Sequence, residues 1–194
     1  LIIQYTWPLQ MIILSSLLYK EKLRISKLIA VLFGFFGIVT IVVKGDFKEI
    51  YFSGISISLL VLLGAFCFAL FSVLSKKSKV ELFHFTFIIF LGGTITSSVA
   101  LIFFSTFQFP SAKEIAPVIA NGLLINGISY IFWIKALKSI SVTSSAVFVF
   151  FTPILSLFWI LIFFNEQFYL SYIIGGFLVL FSGMYCLKEK SSNI

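Results

Sequence analysis

Seven runs of apolar residues, most of them about as long as a helix must be to cross a bilayer, take up nearly the whole chain. They lie roughly at Leu1–Leu18, Ile25–Val43, Ser53–Leu74, Leu82–Phe107, Ile115–Ile134, Val142–Phe164 and Tyr169–Leu187. The runs are continuously apolar rather than alternating, which predicts helices and not barrel strands. The joints between them are a few residues long, too short for a separate soluble domain. Composition agrees. Of 194 residues, 60% are hydrophobic and 11% charged, against roughly 25% charged in a soluble domain, and mean hydropathy is +1.15. A soluble fold of this size has too little interior for that much apolar surface. A soluble enzyme, a nucleic-acid module and a disordered chain are therefore excluded. The expected class is an all-α integral membrane protein lying mostly in lipid.

The net charge of +7 would suggest an acidic partner in a soluble protein. Here it reads as topology. Eleven of the fourteen cations (Lys20, Lys22, Arg24, Lys27, Lys76, Lys77, Lys79, Lys135, Lys138, Lys188 and Lys190) fall in the first, third and fifth connections and the C-terminal tail. Lys44, Lys48 and Lys113 fall in the second, fourth and sixth. The positive-inside rule then puts the C-terminus in the cytoplasm of a cell (inner or plasma) membrane protein. Seven crossings put Leu1 outside. That start, inside an apolar run without a basic leader, leads us to expect that an odd number of helices precedes Leu1. Cys67 and Cys186 have no neighbouring thiol or histidine cluster and read as packing residues, with no metal or cofactor implied.

Two segments look alike. Thr6-Trp7-Pro8 runs to Tyr19-Lys20-Glu21, and Phe151-Thr152-Pro153 runs to Phe164-Asn165-Glu166. Proline and glutamate are thirteen residues apart in both, and an apolar helix with small residues seven apart follows: Ala30 and Gly37, then Gly176 and Gly183. The charge pattern puts the Glu21 loop inside and the Glu166 loop outside. A repeat inverted across the membrane is common in secondary transporters, where two opposed halves rock about a central site.

On these residues the chain resembles the EamA-type members of the drug/metabolite transporter superfamily. The stretch from Gly122 through Asn126 and Tyr130 to Lys138 looks like that family's eighth helix. Ser141 through Thr152-Pro153 to Glu166 looks like its ninth, and Tyr172 through Gly175 to Gly183 its tenth. The resemblance implies ten helices in two five-helix repeats with both termini cytoplasmic. Residues 1–43 would be the last two helices of a first repeat, 44–52 an external linker, 53–187 a complete second repeat and 188–194 a cytoplasmic tail. Three helices would then be missing, an odd number. Ala30 departs from the glycine the family often carries nine residues after the glutamate, and it is still small enough for close packing.

No acid or base sits deep in a run, so no embedded carboxylate proton relay is visible. Uncharged polar and aromatic groups remain. At 100° per residue, Gly122, Asn126, Ser129, Tyr130 and Trp133 share one helix face, and Ser145, Phe148, Thr152 and Ser156 another. The inverted mate of Thr152 is Trp7, with Gln4 a turn away. Since the resemblance places these helices around a central cavity, Gln4, Trp7, Asn126, Tyr130 and Thr152 are the expected substrate-lining residues. They would act by hydrogen bonding and ring stacking without a fixed charge. Each also has a structural reading: polar side chains bond neighbouring helices or their own backbone, and Trp and Tyr anchor at interfaces. Pro8 and Pro153 read equally as hinges or as tolerated kinks, and His84 as a solvated interfacial residue.

The expected function is transport of a small organic metabolite or drug by alternating access, with the bilayer and a small molecule as partners, no nucleic acid, and a homodimer left open. A truncated, non-transporting fragment or accessory subunit is the alternative. A seven-helix receptor has no use for the repeat, and an intramembrane enzyme lacks a nucleophile–base pair in the runs.

Overall fold

The computed structural model describes residues 2–20, 25–49, 54–106, 108–164 and 167–191. Glu21, Asn165 and Glu166 lie outside the described residues. Among those described, regular structure is helical: α1 (Trp7–Tyr19), α2 (Ile25–Val42), α3 (Ile55–Lys77), α4 (Leu82–Phe104), α5 (Ala112–Ala120), α6 (Ser129–Ser139), α7 (Val142–Val149), α8 (Thr152–Phe164) and α9 (Leu170–Ser191). A π-helical segment, Asn121–Ile128, joins α5 to α6. Among the described residues, four stretches are long and apolar enough to cross a membrane: Ile55–Lys77, Leu82–Phe104, Ala112–Ser139 and Ser144–Phe164. Leu28–Val42 and Leu170–Tyr185 are shorter apolar helices.

Helix ends follow from local chemistry. Glu81 caps α4, accepting from the Phe83 and His84 amides at 3.3 and 3.4 Å. Ser111 and Glu114 form a capping box on α5, the Ser111 amide donating to Glu114 Oε2 at 2.7 Å. Ser141 caps α7 by accepting from the Ser144 amide at 3.1 Å. Within the apolar helices, hydroxyls turn back on their own backbone: Thr40 to the Phe36 carbonyl, Thr86 to Leu82, Thr94 to Phe90 and Thr96 to Gly92, all between 2.7 and 2.8 Å. Such bonds satisfy a polar group without water, as lipid requires.

The chain divides into two compact units, Leu1–Leu74 with Ile140–Ile194, and Ser75–Ser139. In the first unit α2 lies along α9, and α7 packs against α1, α2 and α9. Ile41 and Gly37 meet Gly175, Gly34 meets Ser182, and Phe33 meets Phe181 with ring centroids 6.1 Å apart. Numbers rise on one helix as they fall on the other, so α2 and α9 run antiparallel. The interior of this unit includes Met11, Ile12, Val31, Ile38, Phe150 and Val179. In the second unit α4 packs on α6, with the Phe90 and Tyr130 rings 5.4 Å apart. Large side chains such as Leu60, Phe103 and Phe163 point outward. In water that surface would drive aggregation; against acyl chains it is the solvated side.

Pro8 and Pro153 do not kink a continuous helix. Pro8 is the second residue of α1 and Pro153 the second of α8, where a missing amide proton costs nothing. The chain before each is tightened in the same way. The Tyr5 and Thr6 amides donate three residues back to Ile2 and Ile3, and the Phe150 and Phe151 amides to Val147 and Phe148. Both helices then run for 13 residues. The likeness read from sequence is thus repeated as local structure.

Candidate functional site

A cavity of about 260 Å³ opens in the first unit, where the turn before α1, the end of α2, the start of α8 and α9 converge. Pro153 and Ser156 line it from α8, Tyr5 from the turn, Tyr172 from α9 and Lys44 from the residues after α2. Ile41, Leu157 and Ile160 supply apolar wall. With α7 ended at Val149 and α8 begun at Thr152, Pro153, Ser156, Leu157 and Ile160 form one face of α8 along the cavity that Tyr5 also lines.

A second cavity, of about 730 Å³, also has Lys44 in its wall, together with Asp46, Tyr169 and Ser171. The Lys44 ammonium stands 5.4 Å from the Tyr169 ring centroid, a cation–π contact. The Tyr169 and Tyr172 rings are 5.4 Å apart, edge to face. A third space, of about 480 Å³, lies between α1 and α3 and is apolar except for Gln10.

The five residues expected to line a site fall in both units. In the first, Gln4 opens the turn before α1 and is exposed, and its carbonyl accepts from the Trp7 amide. Trp7 is buried, its ring edge-on to Phe68 at 4.7 Å, so it fastens α1 to α3. Thr152 is exposed at the start of α8. Asn126 and Tyr130 belong to the second unit. Asn126 is exposed, and its amide nitrogen donates to Asn121 twice, to Oδ1 at 2.7 Å and to the backbone carbonyl at 3.2 Å. Tyr130 is half-buried against Phe90.

The single face drawn through Gly122, Asn126 and Tyr130 at 100° steps needs correction. Residues 121–128 are π-helical, with bonds five residues back, such as the Ser129 amide to the Leu124 carbonyl. Each turn holds more residues than an α-turn, so Asn126 sits above Asn121 and not above Gly122. Pro117, inside α5, precedes this segment. Pro117 withholds its amide from the turn before it, upstream of the π-segment. Ser129 bonds back to the Ile125 carbonyl.

Tyr5, Lys44 and Tyr172 are not among the lining residues expected from the sequence. Tyr5 sits beside Gln4, and Tyr172 lies in the first turn of the helix that carries Gly175, so both were within sight. Lys44 was counted only as a loop charge. His84 is exposed and bonds Glu81 through Nδ1. That bond and the Phe83 amide hold the Glu81 carboxyl below its ordinary value. Cys67 is exposed on α3, and the Cys186 side chain lies outside the described residues.

The described residues define an all-helical, multi-pass membrane protein. The family model described as "EamA-like transporter family" matches residues 55–187, and the chain belongs to that family. It is 25% identical over 185 residues to "Uncharacterized transporter YoaV" of Bacillus subtilis (strain 168), covering 92% of this chain and 62% of the relative. It is 33% identical over 159 residues to "Uncharacterized transporter in sor 3'region" of Acidianus ambivalens, covering 80% and 60%. A solved crystal structure, described only as that of a protein, superposes with a TM-score of 0.80 over 95% of this chain and 64% of its own at 21% identity, which is a likeness of fold. The chain spans about three fifths of the length of the curated relatives it matches.

Proposed function

We propose that this chain forms part of a transporter that moves a small organic molecule across the membrane by alternating access. The observation that carries the reading is the duplicated unit. A 13-residue helix with proline second is preceded both times by the same tightened turn. In each copy an apolar helix follows, and those two helices, α2 and α9, run antiparallel with glycine against glycine. Opposed copies of one unit give inward-open and outward-open states similar contacts, hence similar energies, and a ligand needs little differential affinity to exchange them.

In this reading all seven apolar runs cross the bilayer and the C-terminus is cytoplasmic. The complete protein has ten helices in two repeats. Gln4, Trp7, Asn126, Tyr130 and Thr152 contribute to the path, Trp7 by setting the position of α1 rather than by contact. The cavity bordered by Tyr5, Ser156 and Tyr172 is the part of that path held within the first unit. The tyrosine hydroxyls and the serine would fix a polar group while Ile41, Leu157 and Ile160 take an apolar body.

The test is flux. Vesicles containing the full protein, loaded with a mixture of small organic metabolites, should lose a subset faster than vesicles containing a Gly37→Val variant that cannot pack α2 on α9. Mass spectrometry of the external medium reads the result. Identical profiles across the whole mixture would sink the transporter reading.

A further inference from the structure

Within the second unit, α4 and α6 are tied at two places. The Phe90 ring lies 5.4 Å from that of Tyr130, and the Lys138 ammonium donates to the Val80 carbonyl at 3.4 Å. Numbers rise on one helix as they fall on the other, so the end of α6 lies beside the entry to α4. That tie gathers cations. Lys79 directly precedes Val80, and Lys135 stands one turn before Lys138 on α6. Lys79, Lys135 and Lys138 are all exposed. The connection before α4 also carries Lys76 and Lys77, which have interactions of their own.

No carboxylate answers these three charges among the described residues. Lys138 meets a neutral carbonyl, and Lys79 and Lys135 have no hydrogen bond or ion pair there. The acid at this end, Glu81, is already occupied. Its Oε1 accepts from the Phe83 amide, and its Oε2 from the His84 amide and from His84 Nδ1. Cations gathered without a counter-charge favour an anion. An apolar track leads away from them. Phe83, Phe87 and Phe90 are four and three residues apart on α4 and so share a face. Phe83 and Phe87 are 64% and 66% exposed, and Phe90 meets Tyr130. On α6, Ile131, Lys135 and Lys138 form a row with the same spacing. Charge at one end, with exposed rings running from it along an apolar helix, matches the two parts of a phospholipid.

We propose that Lys79, Lys135 and Lys138 form a docking site for an anionic phospholipid. The three ammonium groups take the headgroup phosphate, and an acyl chain lies along Phe83, Phe87 and Phe90. Basic clusters at the ends of membrane helices select lipids in this way, and the long lysine stems let the charge reach the headgroup while the helix stays in hydrocarbon. A zwitterionic lipid offers the same phosphate and chains but brings its own cation into the cluster. Headgroup charge therefore decides between them. The site does not depend on the transporter reading, since lipid binding is measured without flux.

The probes are dioleoyl phosphatidylglycerol and dioleoyl phosphatidylcholine, which share their chains and differ in headgroup charge. They are added to the delipidated full-length protein in detergent, and native mass spectrometry reads the affinity of the first lipid bound. Wild-type protein should prefer phosphatidylglycerol. Each lysine near a headgroup is worth roughly a fivefold change in affinity. Lys79→Gln, Lys135→Gln and Lys138→Gln combined should therefore erase the preference, with the lipid-free Tm unchanged, and arginine at the same three positions should keep it. Lys22→Gln, Lys27→Gln and Lys190→Gln combined remove three cations that the charge pattern assigns to the same side, and should also keep it. Phe87→Ala should weaken both lipids alike, because the chain contact is common to them. Equal affinity for the two lipids in wild-type protein, or the same loss in both triple glutamine variants, would overturn the proposal and leave only the general attraction of a basic surface. Displacement of bound phosphatidylglycerol by millimolar glycerol phosphate would overturn it in favour of a soluble phosphate ligand.

Discussion

Gly37 and Gly175 face each other through their backbones. A Cβ on Gly37 would stand 2.6 Å from the Gly175 carbonyl oxygen, and a Cβ on Gly175 would stand 2.5 Å from the Gly37 carbonyl oxygen. The contact is reciprocal, as expected where two antiparallel helices cross near a two-fold axis. It brings α2 and α9 closer than any larger residue allows, and small residues at the crossing are how helices associate where water supplies no driving force.

The next residue gives a built-in control. Gly176 has open space where a Cβ would go. Gly37→Ala and Gly175→Ala should each destabilise the protein by roughly 1–3 kcal/mol, the cost of overpacking a closed contact. Gly176→Ala should be neutral or stabilise by up to about 1 kcal/mol through helix propensity. Thermal unfolding in detergent decides it: equal Tm values for Gly175→Ala and Gly176→Ala would remove the crossing point from this account.

Much of this was legible in the sequence, for physical reasons. Run length and continuity required helices, and the Pro-to-Glu spacing marked a repeated unit that the structure shows as two 13-residue helices entered by the same turn. What the sequence hid was rotation and local pitch. Gly175 and Gly176 are adjacent and chemically identical; only the crossing geometry puts one against Gly37 and the other in the open. Asn126 stood out as an amide in an apolar run, but its partner Asn121 lies five residues back, a spacing that a reading at 3.6 residues per turn does not bring together. Lys44 looked like any loop cation because its ring neighbour Tyr169 lies far along the chain.

Glu81 should make the start of α4 sensitive to acid. The His84 side chain, then the Phe83 amide, lower its carboxyl from the ordinary value of 4.5. A carboxyl with a depressed folded value stabilises the folded helix end fully above its unfolded value, and that contribution is lost as pH falls below 4.5 through the lowered one. Amide exchange at Phe83 and His84 should therefore be protected at neutral pH and accelerate in acid beyond the intrinsic pH dependence. Glu81→Gln should flatten the excess; an unchanged profile in that variant would assign the cap to another group.

The π-helical segment separates two roles for Asn126. If it contributes to the path, Asn126→Leu should reduce flux roughly five- to tenfold, the scale of one interhelical or ligand hydrogen bond in a membrane, with membrane insertion unchanged. Asn121→Ala removes the same local bond but leaves the Asn126 amide in place, and should reduce flux less. Matching deficits in the two variants would assign Asn126 to holding the π-segment and remove it from the path.

Orientation is the remaining claim that can be read independently of any substrate. Moving a loop lysine across the bilayer is costly, so the side carrying eleven of the fourteen cations should be the cytoplasmic one. A reporter fused after Lys190 should then behave as cytoplasmic. A cysteine placed at the exposed Lys48 should react with a membrane-impermeant thiol reagent added outside intact cells, in a background with Cys67 and Cys186 replaced by Ser. The two readouts lie on opposite sides in this topology, because five crossings separate Lys48 from Lys190. A cytoplasmic Lys48 with an external Lys190 would invert the whole arrangement, and a shared side would break the span count itself.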